Sequence, residues 1–232
     1  MSDIVELLRQ IVRAELDRRL PSEIGVVEEV KPHSSDADPE NYGCDVRLRG
    51  RDLVLPGVPM TTDHLGTVMP PKKGDVVLVQ FAGGDPDQPV ITGRLYSDHL
   101  RAPAYDEGQI VTMLPPEAGE TDRIEVALQG GKNGSRSWTL KLPSDVTIAV
   151  TDKKVEATVG KLTLTIDADA GEATLKTSGS TITAKDGGDI TVQGNGNLSI
   201  DAKGNVEIKA GGNLSLNATG TAELKGAVVN LN

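Results

Sequence analysis

From Ser144 to Asn232 the chain has no aromatic residue, proline, cysteine, histidine, methionine or arginine. A solitary globular domain of that length spends aromatics on its core, because each buries a large area. Their absence excludes a core of that kind and leaves room only for a narrow, close-packed one. Cys44 is the single cysteine, which excludes an intrachain disulfide and a cysteine-cluster metal site. No apolar run approaches membrane-spanning length. Charges at Asp3, Glu6, Arg9, Arg13, Glu15 and Asp17 make the opening residues unlike a secretory signal, which predicts folding in a cytoplasm. Over 232 residues, 24 basic against 34 acidic side chains give a net charge of −10, which favours solubility and argues against general phosphate-backbone binding.

What the C-terminal part does contain is a repeat. Gly188, Gly196, Gly204, Gly212 and Gly220 recur every eight residues. Two positions after each stand Ile190, Leu198, Val206, Leu214 and Ala222, and four positions after stand Val192, Ile200, Ile208, Leu216 and Leu224. The intervening positions are polar. Side chains two apart share one face of a pleated backbone, so each octad reads as a short strand with one apolar face, followed by a corner at a small residue. Two sizeable apolar side chains per octad cannot build a core within one chain, so copies must stack. Three identical chains, each supplying one side of a prism, would bring these columns onto a common axis and pair every backbone edge. The expected fold class is therefore all-β: an intertwined homotrimeric triple-stranded β-helix over 144–232, its trimer core formed by Ile190, Val192, Leu198, Ile200, Val206, Ile208, Leu214, Leu216 and Leu224.

Upstream, residues 1–20 read as an amphipathic helix. Ile4, Leu8, Ile11, Val12, Leu16 and Leu20 recur at three- to four-residue steps, with Ser2 as cap and Pro21 as stop. Such a helix packs on its own domain, on another subunit or on a docking partner. Residues 21–100 read as five short strands, Ile24 to Val30, Cys44 to Arg49, Arg51 to Leu55, Val76 to Phe81 and Val90 to Leu95, fitting a small OB-type barrel. Pro103, Pro115, Pro116, Gly119 and Gly130-Gly131 mark 101–143 as a linker leading into the shaft.

Two stretches carry a specific resemblance. Pro71-Lys72-Lys73-Gly74-Asp75-Val76-Val77-Leu78-Val79 and Gly84-Asp85-Pro86-Asp87-Gln88-Pro89-Val90-Ile91-Thr92-Gly93 resemble the P-x-x-G-D-x-V-x-V strand and the G-D-x-x-x-P-V-I-x-G hairpin of the phage baseplate assembly protein V and VgrG spike superfamily. The motif residues are Gly74, Asp75, Phe81, Gly84, Asp85, Pro89 and Gly93. In that family these elements belong to an OB barrel that precedes a β-helical shaft. The resemblance implies a structural central spike of a contractile injection system, assembled in the cytoplasm into the baseplate of a phage tail or injection particle. Such a trimer sits on a hub protein and pierces the target membrane mechanically when the sheath contracts.

The segment 101–138 is too short for the lysozyme domain that some of these spikes insert, so neither an enzyme nor a cofactor is expected. The large hub portion of VgrG proteins is also missing before the barrel, which implies a separate hub. The last histidine is His99, so a histidine-bound metal apex is not expected. Val228, Val229, Asn230, Leu231 and Asn232 present a blunt apolar tip suited to a PAAR-type cap that brings its own metal.

Other signals read as ordinary turns and surfaces. Asp167, Asp169 and Glu172 are solvated turn charges, because no aromatic platform for a sugar stands near them. Gly187-Gly188-Asp189 has the wrong period for a calcium β-roll, and the stretch Gly130 to Ser135 reads as a hairpin turn. His33, His64 and His99 have no partner cluster. Two rival functions exist. Arg47, Arg49 and Arg51 beside Tyr42, Phe81 and Tyr96 would suit a nucleic-acid-binding OB module on a trimeric stalk. A shaft of this shape would also suit an adhesin or polysaccharide-degrading tail protein, against which its lack of aromatics argues.

Overall fold

The computed structural model describes residues 2–39, 41–131 and 135–230, apart from the side chains of 2, 3, 17 and 18. One helix, α1 (Ser2–Arg18), precedes five strands: β1 (Glu23–Lys31), β2 (Gly43–Leu48), β3 (Val54–Pro59), β4 (Val76–Phe81) and β5 (Pro89–Leu95). They pair antiparallel in the order β3-β2-β1-β4-β5. A parallel bridge between Met60 and Ile91, with the Thr61 amide donating to the Ile91 carbonyl at 3.0 Å, brings β3 beside β5 and closes the barrel. This is the strand circuit of an OB fold.

Alternation builds the barrel core. Val77, Val79 and Phe81 of β4 point inward, and so do Val46 and Leu48 of β2, Val27 of β1 and Ile91 of β5. Gly25 lets β1 cross β2 closely: a Cβ there would lie 2.3 Å from the Cγ1 of buried Val46 and 3.3 Å from the Arg47 carbonyl oxygen. Burial also pushes the Cys44 thiol pKa up, as befits a small apolar core residue.

The helix stops at Arg18, two residues before the expected boundary, because Leu20 is engaged by the barrel. Its amide donates to the Gly84 carbonyl at 3.0 Å, and its side chain packs on the core. The cap read at Ser2 concerns a side chain outside the described ones. The third barrel strand, expected over Arg51 to Leu55, runs instead from Val54 to Pro59. Gly50, Arg51 and Asp52 are used by the β2–β3 turn, which is tied by the Leu48 amide to the Leu53 carbonyl at 2.9 Å.

A second, nine-stranded sheet follows. Its strands are β6 (Gln109–Leu114), β7 (Ile124–Gly130), β8 (Arg136–Leu142), β9 (Val146–Thr151), β10 (Lys154–Val159), β11 (Leu162–Asp167), β12 (Glu172–Lys176), β13 (Ser180–Lys185) and β14 (Ile190–Gly194). Each pairs antiparallel with the next, in chain order. Two sequence expectations are corrected here. The stretch 101–143, read as linker, contributes β6, β7 and β8, because its prolines and glycines fall between alternating segments rather than within them. Wrapping by other chains was expected from about Ser144, yet every ladder from Val146 to Gly194 lies within this chain. Glycines at positive φ, such as Gly160, Gly171 and Gly188, reverse the chain into hairpins instead of turning a corner. Beyond Gly194 no described residue belongs to a strand, although the octad pattern continues unbroken.

Candidate functional site

The two faces of the nine-stranded sheet differ in chemistry, most sharply from β11 to β14. Following the register across all nine strands, one row reads Ile110, Leu128, Trp138, Val150, Val155, Ile166, Ala173, Ala184, Ile190. The row two residues along reads Thr112, Val126, Leu140, Ile148, Ala157, Leu164, Leu175, Ile182, Val192. Between them, on the opposite face, β11 to β14 align Thr165, Thr174, Thr183 and Thr191. Hydroxyl contacts Thr158 to Thr163 at 3.5 Å and Thr174 to Thr183 at 3.4 Å link neighbouring strands of this polar face.

In a sheet that folds alone, the apolar face is covered. Here it is open: Ile166 is 51% exposed, Leu175 37% and Ile190 74%. Among the described residues, every buried apolar side chain lies between Val27 and Ile91, inside the barrel. A patch spanning nine strands at ~4.8 Å each is about 40 Å long, far beyond the scattered apolar exposure of an ordinary monomer surface. Past the sheet, Leu198, Ile200, Val206, Ile208, Leu214, Leu216 and Leu224 are exposed as well. Val228 and Val229 of the expected tip are exposed, and Leu231 and Asn232 lie outside the described residues. The contribution of β6 to β8 to this face was not read from the sequence, although Ile124, Val126 and Leu128, and Trp138, Leu140 and Leu142, alternate clearly.

The motif residues of the barrel build turns. Gly74 sits at φ +94° and its amide donates to the Val27 carbonyl at 2.8 Å; the Val27 amide donates to the Asp75 carbonyl at 2.9 Å. The Asp75 carboxylate accepts from the Lys72 amide at 2.9 Å and holds the turn into β4. Asp85 does the same for the β4–β5 loop, accepting from the Asp87 amide at 3.0 Å and the Gln88 side-chain amide at 3.2 Å. Gly84, at φ +82°, leaves space for Arg19, whose Cβ would lie 2.8 Å from an added Cβ. Pro89 opposes Phe81, and Gly93 opposes Leu78 beside a bulge.

Residues 47–96, from within β2 to just past β5, match the family model of the type VI secretion system/phage-baseplate injector OB domain. The match takes in the barrel from β2 to β5, 50 of the chain's 232 residues, and makes this barrel similar to a baseplate injector OB domain. That likeness supports a structural role in an injector baseplate. No curated protein matches the chain.

In the barrel, two arginines of the basic row, Arg47 and Arg51, pair with acidic neighbours. Arg47 binds Glu28 at 2.7 Å and Asp52 at 2.9 Å, and Arg51 binds Glu23 at 2.8 Å. The Glu28 hydrogen bond raises the Arg47 pKa further. Phe81 is buried and cannot stack on a base, and the Tyr42 hydroxyl donates to the Met69 carbonyl at 2.7 Å. Pairing of Arg47 and Arg51 lowers the positive charge that the row offers to a nucleic acid, while Tyr96 stays exposed.

Two members of the acidic trio serve the turn after β11. Asp167 accepts from the amides of Asp169 at 3.0 Å and Ala170 at 2.9 Å, and Asp169 pairs with Lys153 at 2.6 Å. No group of three or more metal-ligating side chains occurs among the described residues. On the polar face of β7 and β8, Arg123 at 2.8 Å and Lys141 at 3.3 Å clamp Glu125, and the Arg123 hydrogen bond holds its carboxyl below the usual carboxylate range.

Proposed function

We propose that three copies of this chain place their apolar sheet faces together as a prism, with the octads of 195–230 interwound below it. The assembly acts as the central spike of a contractile injector. The observation that carries this reading is the continuous apolar face from β6 to β14, extended by octads that have no strand partner within the chain. An apolar face of that length has no stable exposure to water, and three-fold closure covers it with identical chemistry from each copy. Polar threonines and charges then face solvent, as the net charge of −10 per chain suits.

The mechanism is mechanical and needs no catalytic group or cofactor. Sheath contraction delivers force through a hub at the barrel end, and the shaft concentrates it on a small area of the target membrane. Resistance comes from cooperativity: no copy leaves the prism without uncovering the faces of the other two, so unfolding under load is slow. Sedimentation equilibrium of the purified protein is expected to give three times the 24.4 kDa chain mass, with a species that persists in cold dodecyl sulfate. A folded monomer would sink the reading.

The lower end of the shaft, with exposed Val228 and Val229, fits a PAAR-type cap. A PAAR protein encoded beside the sheath and tube genes is expected to co-purify with the wild type and to be lost from Val228→Asp/Val229→Asp. Equal recovery with both proteins would remove the cap from the proposal.

A further inference from the structure

The barrel has two poles, and the sheet leaves from one of them. Pairing of Val76 with Leu95 puts the start of β4 beside the end of β5, from which the chain runs on into β6. At that pole an ion pair joins Lys72, in the turn before β4, to Glu117 in the β6–β7 loop. The helix α1 stands at the other pole. There the Leu20 amide donates to the Gly84 carbonyl of the β4–β5 loop at 3.0 Å, and the stem of Arg19 packs against the same glycine.

Along α1, Ile4, Leu7, Leu8 and Ile11 fall at i, i+3, i+4 and i+7, the anchor spacing of a helix that lies in an apolar groove. Leu7 is 57% exposed and Leu8 55%, so the barrel of the same chain covers neither. Val5 and Val12 widen the apolar arc to about half the helix circumference, which a concave partner covers and a flat one does not. Two observations favour a foreign protein over another copy of this chain. Glu15 stands four residues after Ile11 and seven after Leu8, and Arg18 seven after Ile11, so the same face turns charged in its last turns. Copies of α1 packed symmetrically through that face would bring like charges together. The open sheet faces of copies with a common shaft direction lie at the opposite pole, out of reach of α1.

We infer that α1 is a docking helix whose first three turns insert into an apolar groove of a different protein, the hub that loads the spike; naming that protein the hub rests on the function proposed above. The anchors Ile4 to Ile11 need a groove of roughly 12 Å, at 1.5 Å per residue. Glu15 and Arg18 then fall at its mouth, beside the barrel, where a polar rim keeps charges hydrated. The attachment at Gly84 gives the docked helix a mechanical role. Force on α1 passes through the β4–β5 loop into β4 and β5, and the far end of β5 leads to the shaft.

The test titrates the full-length protein with the hub protein encoded beside the sheath and tube genes, by calorimetry, and measures the mass of each variant alone by light scattering. Leu8→Glu, which keeps a good helix former at the position, is expected to weaken binding by at least about thirtyfold, the loss of a central anchor. Leu8→Met, which keeps the anchor apolar, and Arg13→Glu, on the polar face, are expected to bind within about threefold of the wild type. All three variants should keep the wild-type mass. Equal affinity of Leu8→Glu and the wild type, or no hub binding by the wild type, overturns the docking helix and leaves the spike reading to its own mass measurement. Loss of the wild-type mass by Leu8→Glu in the absence of hub gives the face to copies of this chain and overturns the foreign occupant. A monomeric wild type that binds the hub through Leu8 overturns the trimer and upholds the docking helix.

Discussion

Leu175→Asp is expected to dissociate the protein, whereas Thr174→Asp, one residue away on the opposite face, leaves its mass unchanged. Leu175 lies at the middle of the apolar row, flanked by Leu164 and Ile182 on adjacent strands. In the isolated chain it is 37% exposed, and a surface carboxylate there would alter stability by only about ±0.5 kcal/mol. In the prism three such carboxylates face one another near the axis, away from water. Each carries a desolvation cost of several kcal/mol, to which mutual repulsion adds. The two accounts thus differ by well over ~5 kcal/mol per trimer. Size-exclusion chromatography with light scattering on the paired variants separates them. Retention of trimeric mass by Leu175→Asp would show that this face does not meet its copies.

That pairing of neighbours also shows where sequence reading succeeds and where it stops. Alternation of Leu162, Leu164 and Ile166, or of Ile190 and Val192, displays an apolar face directly, because the pleat has period two. Glycines mark turns for the same local reason: Gly171 at φ +62° and Gly188 at φ +90° occupy conformations that other residues resist. Which strand each turn delivers as a neighbour is not local. A glycine permits a hairpin as readily as a corner, so the antiparallel meander from Gln109 to Gly194 was not legible where wrapping by other chains was expected.

The strands β6 to β8 were hidden by Pro115, Pro116 and Gly130-Gly131, which dominate the reading of 101–143 although they fall outside the alternating segments or at their ends. In the barrel, Arg47, Arg49 and Arg51 looked like a free basic row because Glu28, Glu23 and Asp52 are remote in sequence or across a turn. Cross-strand register brings them within 2.7 to 2.9 Å of Arg47 and Arg51. The motif around Gly74, Asp75, Gly84 and Asp85 was legible because its job is local, the closing of two turns by backbone and carboxylate contacts.

The barrel and the shaft draw on different sources of stability, and Phe81→Ala is expected to separate them. Phe81 is the only phenylalanine in the chain, stands 4% exposed at the end of β4, and belongs to the same buried cluster as Val79, Val46 and Ile91. Truncation removes its ring from a core that has few large side chains with which to refill the space. The expected cost is about 3–5 kcal/mol, a large share of the roughly 5–15 kcal/mol that holds a small domain folded. In calorimetry the barrel transition should fall by more than ~10 °C. In the proposed trimer the shaft transition should stay in place, because there its stability would come from contact between copies. Trp138, the only tryptophan, lies in the apolar row of the sheet, so its fluorescence follows the shaft, while Tyr42 and Tyr96 lie beside the barrel. Phe81→Ala is therefore expected to shift the tyrosine-reported melt and leave the tryptophan-reported melt and the trimeric mass as they were. Collapse of both transitions together would mean that the barrel, and not the apolar face of the sheet, holds the three chains in place.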